Sequence, residues 1–569
     1  MLNLYRDYLV ETCDAKGVVT DYQLVVPDSF NFAYDVVDRI AAVEPDRRAM
    51  HWCNEAGEQH TFSFADMKRE SDRCASFFLS LGVRKGDKVM LILKRHYQFW
   101  FSILALHKIG AVAIPATNQL QVKDLVYRFN AAEVKAVVCT SDGDIAGHVE
   151  QAIAVYQQPI IQIMVKSQRP GWQHYEQGLA AAPAFIRPIG ADAPTNLDMM
   201  LLYFTSGTTG MPKMVTHDYT YPIGHLPTAR YWHKIDPEGL HLTVSETGWA
   251  KSVWGKLYGQ WIMEAGIYVY DFERFVPSDM LLHVQNDKVT SFCAPPTIYR
   301  FLIKEDLKKY DLSCLQHCTI AGEALNPEVY EQFLRATGLE LKEGYGQTEM
   351  TLAVVTNYWM ATKPGSMGKP SPVYRIILLD DQDQPVKPGQ SGEICVQTDD
   401  RKLPGMFCGY HKDPDLTQKV WHDGIYHTGD LAWQDEDGYL WFVGRSDDII
   451  KSSGYRIGPF EVESVLMEHP AVMECAITGE PDPIRGQLVK ATVVLASGWT
   501  ASDDLRHELQ EYVKTHTAPY KYPRVLDFVP ELPKTISGKI RRVAIRQAGG
   551  QAVRSDNSDA AQASETAAD

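Results

Sequence analysis

Three absences narrow what this chain of 569 residues can do. It has no apolar run close to the 18 residues that a membrane-spanning helix requires. Its formal net charge is −16, so no global positive field attracts nucleic acid or a membrane surface. Its ten cysteines form no regular pairs, and the group 314–318 (Cys-Leu-Gln-His-Cys) lacks a second cluster at zinc spacing. We therefore expect a protein without nucleic-acid partners and without stable membrane insertion.

The two ends of the sequence also lack features. Residues 1–9 have neither the basic start nor the apolar core of a signal peptide, and they are not Arg/Ser-rich like a transit peptide. This predicts a cytoplasmic protein. Residues 549–569 contain almost no large apolar side chains, which predicts a disordered tail.

The length and the 45% hydrophobic content predict a large core in at least two domains. Short apolar runs alternate with helical patterns in the first part, which predicts an α/β fold with parallel sheets. We expect an N-terminal domain at 1–445, with a β-rich subdomain at about 365–445 where turn signals separate short strands. A smaller α+β domain at 446–545 and a tail at 546–569 complete the predicted order.

Residues 203–213 (Tyr-Phe-Thr-Ser-Gly-Thr-Thr-Gly-Met-Pro-Lys) carry the strongest functional signal. They follow an apolar run at 199–204 that predicts a buried strand. Glycines let backbone N–H groups approach an anion, hydroxyls add donors, and Lys213 adds a charge suited to phosphate. The spacing is not that of a Walker A loop, because Gly207 and Gly210 are only three apart. A flexible linker is the alternative, but a linker rarely follows a buried strand and ends in Met-Pro-Lys.

Five further segments stand in an order that strengthens this interpretation: 321–324, 343–349, 426–430, 444–451 and 533–539. Together with 203–213 they resemble the motifs of the adenylate-forming superfamily, which includes acyl-CoA synthetases, luciferases and peptide-synthetase adenylation domains. The resemblance covers about residues 30–545. The segments 248–251, 451–456 and 519–524 are similar to medium-chain acyl-CoA synthetases. The resemblance implies a large N-terminal adenylate-forming domain and a small mobile C-terminal domain.

The resemblance also implies a set of nucleotide contacts. The residues expected to bind ATP are Thr205, Ser206, Gly207, Thr208, Thr209, Gly210, Met211, Pro212, Lys213, Gly322, Glu323, Ala324, Glu343, Gly344, Tyr345, Gly346, Gln347, Thr348, Asp430, Arg445 and Lys539. Thr348 is expected to hydrogen-bond the α-phosphate, and Glu349 to hold Mg²⁺, which prefers carboxylate and phosphate oxygens. A solvated carboxylate is the alternative for Glu349, and a salt bridge is the alternative for Asp430 and Arg445.

The remaining implied contacts concern the other two substrates. The residues expected to bind CoA are Ser453, Gly454, Tyr455, Arg485, Tyr520, Lys521 and Tyr522. The acyl substrate is expected to meet Trp249, Gly346, Thr348 and Arg456, and Asp447 is the expected hinge. Lys539 is the expected catalytic lysine of adenylation, together with Thr348 and Glu349. The alternatives are plain core packing for Trp249, and packing beside neighbouring prolines for Tyr520 and Tyr522.

The function we expect is ATP-dependent, AMP-forming ligation of a medium-chain or branched carboxylic acid to CoA, with Mg²⁺ accompanying ATP. An aryl-CoA ligase acting on benzoate-like acids is the nearest alternative. A luciferase-like oxygenase and a non-catalytic acyl-adenylate-binding protein are further alternatives. The sequence does not fix the acyl chain or the oligomeric state, and a homodimer remains one option.

Overall fold

The computed structural model describes residues 1–205, 211–323, 325–399, 402–534 and 539–547. Contacts between Cα atoms divide the chain into two compact units. The first unit comprises Met1–Ile376 and Val396–Tyr426, and the second comprises Ile377–Cys395 and His427–Asp569. The predicted domain boundaries stay predictions, and the predicted tail lies almost entirely outside the described residues.

The first unit contains two large sheets and a small two-stranded ribbon. The ribbon pairs Leu9–Cys13 with Val19–Leu24. The seven-stranded sheet runs in the order Lys213–Asp218, Met199–Thr205, Val112–Pro115, Lys88–Ile92, Val134–Cys139, Ile161–Met164 and Gln173–His174. The nine-stranded sheet runs in the order Lys369–Pro370, Met350–Val355, Leu341–Gln347, His317–Ile320, Ser291–Ala294, Leu240–Thr243, Gly266–Asp271, Arg48–Asn54 and Gln59–Ser63.

Most neighbours in these two sheets are parallel, and helices connect them, as the alternating pattern predicts. The α-helices of the first unit are Arg39–Val43, Phe64–Ser80, Gln98–Ile109, Val122–Ala132, Ile145–Tyr156, Tyr175–Ala181, Tyr221–Gly224, Ala250–Gly255, Tyr258–Ile262, Pro277–Asn286, Pro296–Leu302, Pro327–Thr337 and Pro414–Val420. Helix Gln98–Ile109 is buried on all sides and ends at Gly110, whose left-handed backbone closes the last turn. Among the described residues, no helix has the length and hydrophobicity needed to cross a membrane.

The division between the units falls inside a third sheet. Its five strands are Arg375–Leu379, Ser391–Gln397, Ile425–Gln434, Trp421–His422 and Leu440–Arg445. The second unit also contains a five-stranded sheet made of Tyr455–Ile457, Ile450–Ser452, Gly486–Leu495, Val472–Asp482 and Val525–Phe528. Helices Pro459–Glu468 and Asp503–His516 cover an apolar core on this sheet. The predicted fold class, α/β with parallel sheets and a separate α+β region, is confirmed.

Candidate active site

The predicted phosphate loop is closed by a hairpin of the seven-stranded sheet. Strands Met199–Thr205 and Lys213–Asp218 are antiparallel, and Thr205 lies opposite Lys213. The carbonyl of Pro212 accepts a hydrogen bond from the Tyr127 hydroxyl at 2.9 Å, and Met211 is exposed. The five residues between these ends, Ser206, Gly207, Thr208, Thr209 and Gly210, lie outside the described residues. The sheet therefore fixes both ends of the loop.

Lys213, on the second hairpin strand, is connected to Glu349 through one tyrosine. The Lys213 ammonium lies 5.1 Å from the centroid of the Tyr410 ring. The Tyr410 hydroxyl in turn donates a hydrogen bond to Glu349 Oε1 at 2.8 Å. Tyr410 thus connects the lysine of the phosphate loop to the carboxylate that the sequence predicts as the metal ligand.

Residues 407–411, which we call the bridging segment, lie between the hairpin and Glu349. The Phe407 N–H donates to the Glu349 carbonyl at 2.7 Å. The Cys408 N–H donates to the Thr216 carbonyl at 2.7 Å, and the His411 N–H donates to the Met214 carbonyl at 2.8 Å. Main-chain bonds hold Glu349 on one side of the segment and the hairpin strand on the other.

His217 fixes the backbone of the other predicted catalytic residue in this unit. Its Nε2 donates to the Thr348 carbonyl at 2.7 Å, and its ring stacks on Tyr221 with centroids 3.8 Å apart. Burial lowers the pKa of His217 to about 3. The imidazole is therefore neutral, and the carbonyl acceptor selects the tautomer with hydrogen on Nε2.

Close packing explains why segment 343–349 has glycine at positions 344 and 346. A Cβ on Gly344 would lie 2.9 Å from the Trp232 ring, and one on Gly346 would lie 2.8 Å from the Thr351 carbonyl oxygen. The Trp232 ring at Gly344 and the neighbouring strand at Gly346 therefore approach too closely for a side chain. Gln347, which follows, accepts a hydrogen bond from the Tyr426 hydroxyl at 2.8 Å.

Glu343 is a buried carboxylate at the end of a parallel strand. Its Oε1 accepts a long hydrogen bond of 3.4 Å from the Leu325 N–H, and Oε2 has no partner among the described residues. Burial raises the pKa of Glu343 to about 8, so the carboxyl group is mostly protonated at neutral pH. Gly322 and Glu323 are exposed just after the neighbouring strand, and Ala324 lies outside the described residues.

Glu349 is the residue predicted to hold Mg²⁺, and one of its carboxylate oxygens is anchored. The side chain is half-buried, and the hydrogen bond from Tyr410 engages Oε1. Oε2 takes no hydrogen bond from the part of the chain that the structure describes. A carboxylate with one oxygen anchored and the other available fits the hard oxygen ligands that Mg²⁺ prefers.

Trp249 stands at the edge of the core rather than inside it. It is half-buried and precedes helix Ala250–Gly255. A Cβ on the preceding Gly248 would lie 2.4 Å from the Thr117 backbone nitrogen, so only glycine allows this approach. Lys251 in the following helix donates to the Ala321 carbonyl at 2.9 Å. Plain core packing therefore does not account for Trp249, and its acyl contact stays a prediction.

In the second unit, Asp430 and Arg445 lie opposite each other on antiparallel strands. The Arg445 guanidinium donates to Asp430 Oδ1 at 3.2 Å and to the Thr428 carbonyl at 3.1 Å. It also lies 3.5 Å from Asp447 Oδ1. The salt bridge that competes with a ribose role is thus present, and the arginine joins the predicted ribose carboxylate to the predicted hinge.

Four residues of the predicted CoA site lie close together in two pairs. The Ser453 hydroxyl accepts from the Arg485 guanidinium at 3.2 Å. Tyr455 and Tyr520 stack with centroids 4.0 Å apart and planes at 11°. Gly454 lies next to Ser453 and Tyr455 in sequence and has a left-handed backbone (φ +85°); apart from its chain neighbours, no atom of the described residues lies within 4 Å of the Cβ position.

Two other predicted cations of the second unit have acidic partners. Lys521 pairs with Glu461, and Arg456 pairs with Asp381. The Tyr522 hydroxyl accepts from Arg524 at 2.6 Å. Lys539 is exposed, and four residues that precede it lie outside the described residues.

Sequence reasoning missed two residues of the first unit, His217 and Tyr410. A buried histidine four positions after Lys213 on the same strand face was a usable signal for the first. Tyr410 gave no local signal, because its partners Lys213 and Glu349 are distant in sequence.

Comparisons with known proteins show what the chain is similar to. Residues 37–411 match the family model described as AMP-binding enzyme, and residues 461–539 match the AMP-binding enzyme C-terminal domain. The acyl-coenzyme A synthetase ACSM3, mitochondrial, of Mus musculus is 39% identical over 564 residues, covering 96% of this chain and 95% of that protein. The acyl-coenzyme A synthetase ACSM5, mitochondrial, of Mus musculus is 40% identical over 531 residues, covering 92% and 91%.

Solved structures show the same fold. The anthranilate CoA ligase AuaEII in complex with anthranoyl-AMP gives a TM-score of 0.84 at 26% identity, covering 93% of this chain and 99% of that one. A Brucella canis acyl-CoA synthetase gives 0.68 at 30% identity, covering 92% and 95%. A benzoate CoA ligase from Burkholderia xenovorans LB400 gives 0.78 at 25% identity, covering 91% and 100%.

The fold and the loop-closing hairpin define a nucleotide-dependent ligase of the adenylate-forming class. With the family model matching residues 37–411, the chain belongs to the AMP-binding enzyme family. The predicted resemblance is confirmed.

The predicted cytoplasmic location is contradicted by the same comparison. The relatives named above are mitochondrial proteins that align over nearly their full length. The prediction used only the composition of the first residues, and a targeting segment leaves no mark on the composition of the folded domains.

Proposed function

We propose that the chain is an ATP-dependent, AMP-forming acyl-CoA synthetase. The single observation that carries the proposal is the Lys213–Tyr410–Glu349 arrangement at the base of the hairpin. In this arrangement Tyr410 contacts both the cation predicted to bind phosphate and the carboxylate predicted to bind Mg²⁺. The near full-length similarity to acyl-coenzyme A synthetases of Mus musculus supports it.

In the first half-reaction a carboxylate oxygen of the acid attacks the α-phosphorus of ATP, and pyrophosphate leaves. Lys213 and the loop from Thr205 offset the charge of the β- and γ-phosphates. Thr348, whose backbone His217 holds, donates to the α-phosphate. Glu349 would hold Mg²⁺, which would supply neutralising charge to the phosphates, and Tyr410 keeps that carboxylate in place.

The second unit supplies the remaining contacts of the proposed reaction. Asp430 accepts hydrogen bonds from the ribose hydroxyls, and Arg445 orients it. Lys539 acts on the acyl carboxylate and α-phosphate during adenylation. Rotation of the C-terminal domain about Asp447 then presents Gly454 and its neighbours, and the CoA thiolate displaces AMP. The open space at Gly454 supports a close approach of pantetheine.

For the acid we propose a medium-chain or branched chain. Gly346 has no side chain that could close an acyl pocket after two carbons, and Trp249 is our candidate for another wall of that pocket. Each methylene buried in such a pocket contributes about 0.8 kcal/mol. The structural similarity to an anthranilate and a benzoate CoA ligase favours an aromatic acid as the second candidate.

The test is pyrophosphate release and thioester formation across straight acids of two to twelve carbons, branched acids and benzoate. We expect CoA-dependent thioester formation with kcat/KM rising from acetate to butyrate and longer acids. A preference for benzoate selects the second candidate. Absence of pyrophosphate release with every acid would overturn the ligase assignment.

A further inference from the structure

A histidine, a cysteine and a glutamate, none of which is given a role above, lie together in the third sheet. Glu393 and Cys395 are two positions apart on strand Ser391–Gln397, so their side chains share one face. His427 projects from the neighbouring strand Ile425–Gln434. Within the described residues, these three form the sole His/Cys/carboxylate group whose ligand atoms all lie within 4.8 Å of one another.

The distances resemble the edges of a metal tetrahedron. His427 Nδ1 lies 3.1 Å from Glu393 Oε2 and 3.5 Å from Cys395 Sγ. A tetrahedral zinc ion with bonds of about 2.0–2.1 Å to nitrogen and oxygen and about 2.3 Å to sulfur has edges of about 3.3 and 3.6 Å for these pairs. The atoms of the remaining oxygen–sulfur pair lie within 4.8 Å of each other.

The surroundings orient the three ligands. Glu393 Oε1 accepts from the Gly429 N–H at 2.7 Å, which leaves Oε2 turned toward the histidine. Cys395 is fully buried, whereas the side chains of His427 and Glu393 are 14% and 25% exposed. The buried sulfur forms the floor of the group, and the imidazole and carboxylate form a rim that solvent reaches.

We propose that Glu393, Cys395 and His427 bind one Zn²⁺ ion, with a water molecule as fourth ligand. A thiolate, an imidazole and a carboxylate are the donors that zinc takes most often. Binding releases the cysteine proton to solvent, and no electron is transferred. The ion would join two neighbouring strands just before Thr428-Gly429-Asp430.

A second cysteine–histidine–carboxylate group provides a matched control. Cys53, His283 and Asp287 surround the Tyr268 hydroxyl, which lies 3.0 Å from the sulfur, 2.7 Å from His283 Nδ1 and 2.8 Å from Asp287 Oδ2. The tyrosine occupies the position that a metal ion would need. Cys53→Ser is therefore expected to leave metal binding unchanged.

The experiment titrates the purified full chain with Co²⁺, the spectroscopic substitute for Zn²⁺, and then displaces it with Zn²⁺. We expect one equivalent with a thiolate-to-cobalt charge-transfer band that Zn²⁺ removes. Cys395→Ser should abolish the band, and His427→Gln and Glu393→Gln should weaken binding at least about 10-fold.

Thermal unfolding gives an independent readout, because a ligand that binds only the folded state raises the midpoint. Zn²⁺ should raise the midpoint of the wild type and of Cys53→Ser, but not that of His427→Gln. A wild type without the charge-transfer band, or a band that persists in Cys395→Ser, would overturn the proposal.

Discussion

The two units hold the predicted site residues that each of them contains in different ways. In the first unit, main-chain bonds from the bridging segment and the buried His217 fix Glu349 and Thr348. In the second unit, the predicted CoA residues lie at the surface, and they contact one another through a tyrosine stack and side-chain pairs. The first arrangement is pre-organised for charge stabilisation, whereas the second must exchange its internal contacts for those of a substrate.

The largest effect is expected for a substitution that removes the negative charge of Glu349 in the first unit. Glu349→Gln keeps the shape and the hydrogen bond with Tyr410 but loses the metal-binding carboxylate. We expect pyrophosphate release to fall at least about 100-fold, with an unchanged unfolding midpoint. Glu331→Gln, on the exposed face of helix Pro327–Thr337, is the matched control. Retention of more than a tenth of the activity would contradict the role of Glu349.

The second largest effect is expected for a substitution in the predicted CoA site of the second unit. Gly454→Leu places a side chain where the structure has open space. We expect thioester formation from supplied acyl-AMP to fall about 10- to 100-fold. Formation of acyl-AMP should persist, because the side chain obstructs the binding of CoA alone.

Gly498→Leu separates this obstruction from backbone strain. Gly498 has the same left-handed backbone (φ +91°) and the same open surroundings in the same unit. Both variants place a side chain on a left-handed backbone, which strains the folded state. Only Gly454→Leu should block the thioester step. Equal loss in the two variants would show that strain, not CoA, explains the result.

A smaller effect concerns Tyr410, the residue between the lysine and the carboxylate. Tyr410→Phe removes one hydrogen bond to a charged group, worth about 1.5–3 kcal/mol. We expect adenylation to fall about 10-fold or more and the Mg²⁺ concentration for half-maximal rate to rise. Tyr374→Phe, which loses a buried bond of 2.7 Å to the Thr351 hydroxyl, should affect stability but not the Mg²⁺ dependence.

The smallest effect is a pH dependence of stability. The folded-state pKa of Glu343 is about 8, above its ordinary value. Between about pH 4.3 and 8 the unfolded chain has lost this proton while the folded chain retains it. The contribution of Glu343 is therefore fully present at low pH and is lost as pH rises through 8. Glu343→Gln should unfold at a more nearly constant temperature from pH 5 to 9, and an unchanged profile would contradict the assignment.

Local patterns were sufficient for much of the fold. The predicted strand at 199–204 corresponds to Met199–Thr205, because burial on both faces produces a continuous apolar run. The predicted site residues cluster by motif within each unit. Tyr410 could not be predicted in this way, since its contact with Glu349 spans 61 residues and follows from packing alone.

The long sequence separations around the bridging segment constrain how the protein is made. The Thr216 hydroxyl donates to the Gly409 carbonyl at 2.8 Å across 193 residues. A ribosome that has synthesised both hairpin strands and Glu349 must still add nearly sixty residues before residues 407–411 can join them. The phosphate end of the site therefore assembles late in translation, and a nascent chain that stops before Phe407 would expose an unpaired strand edge.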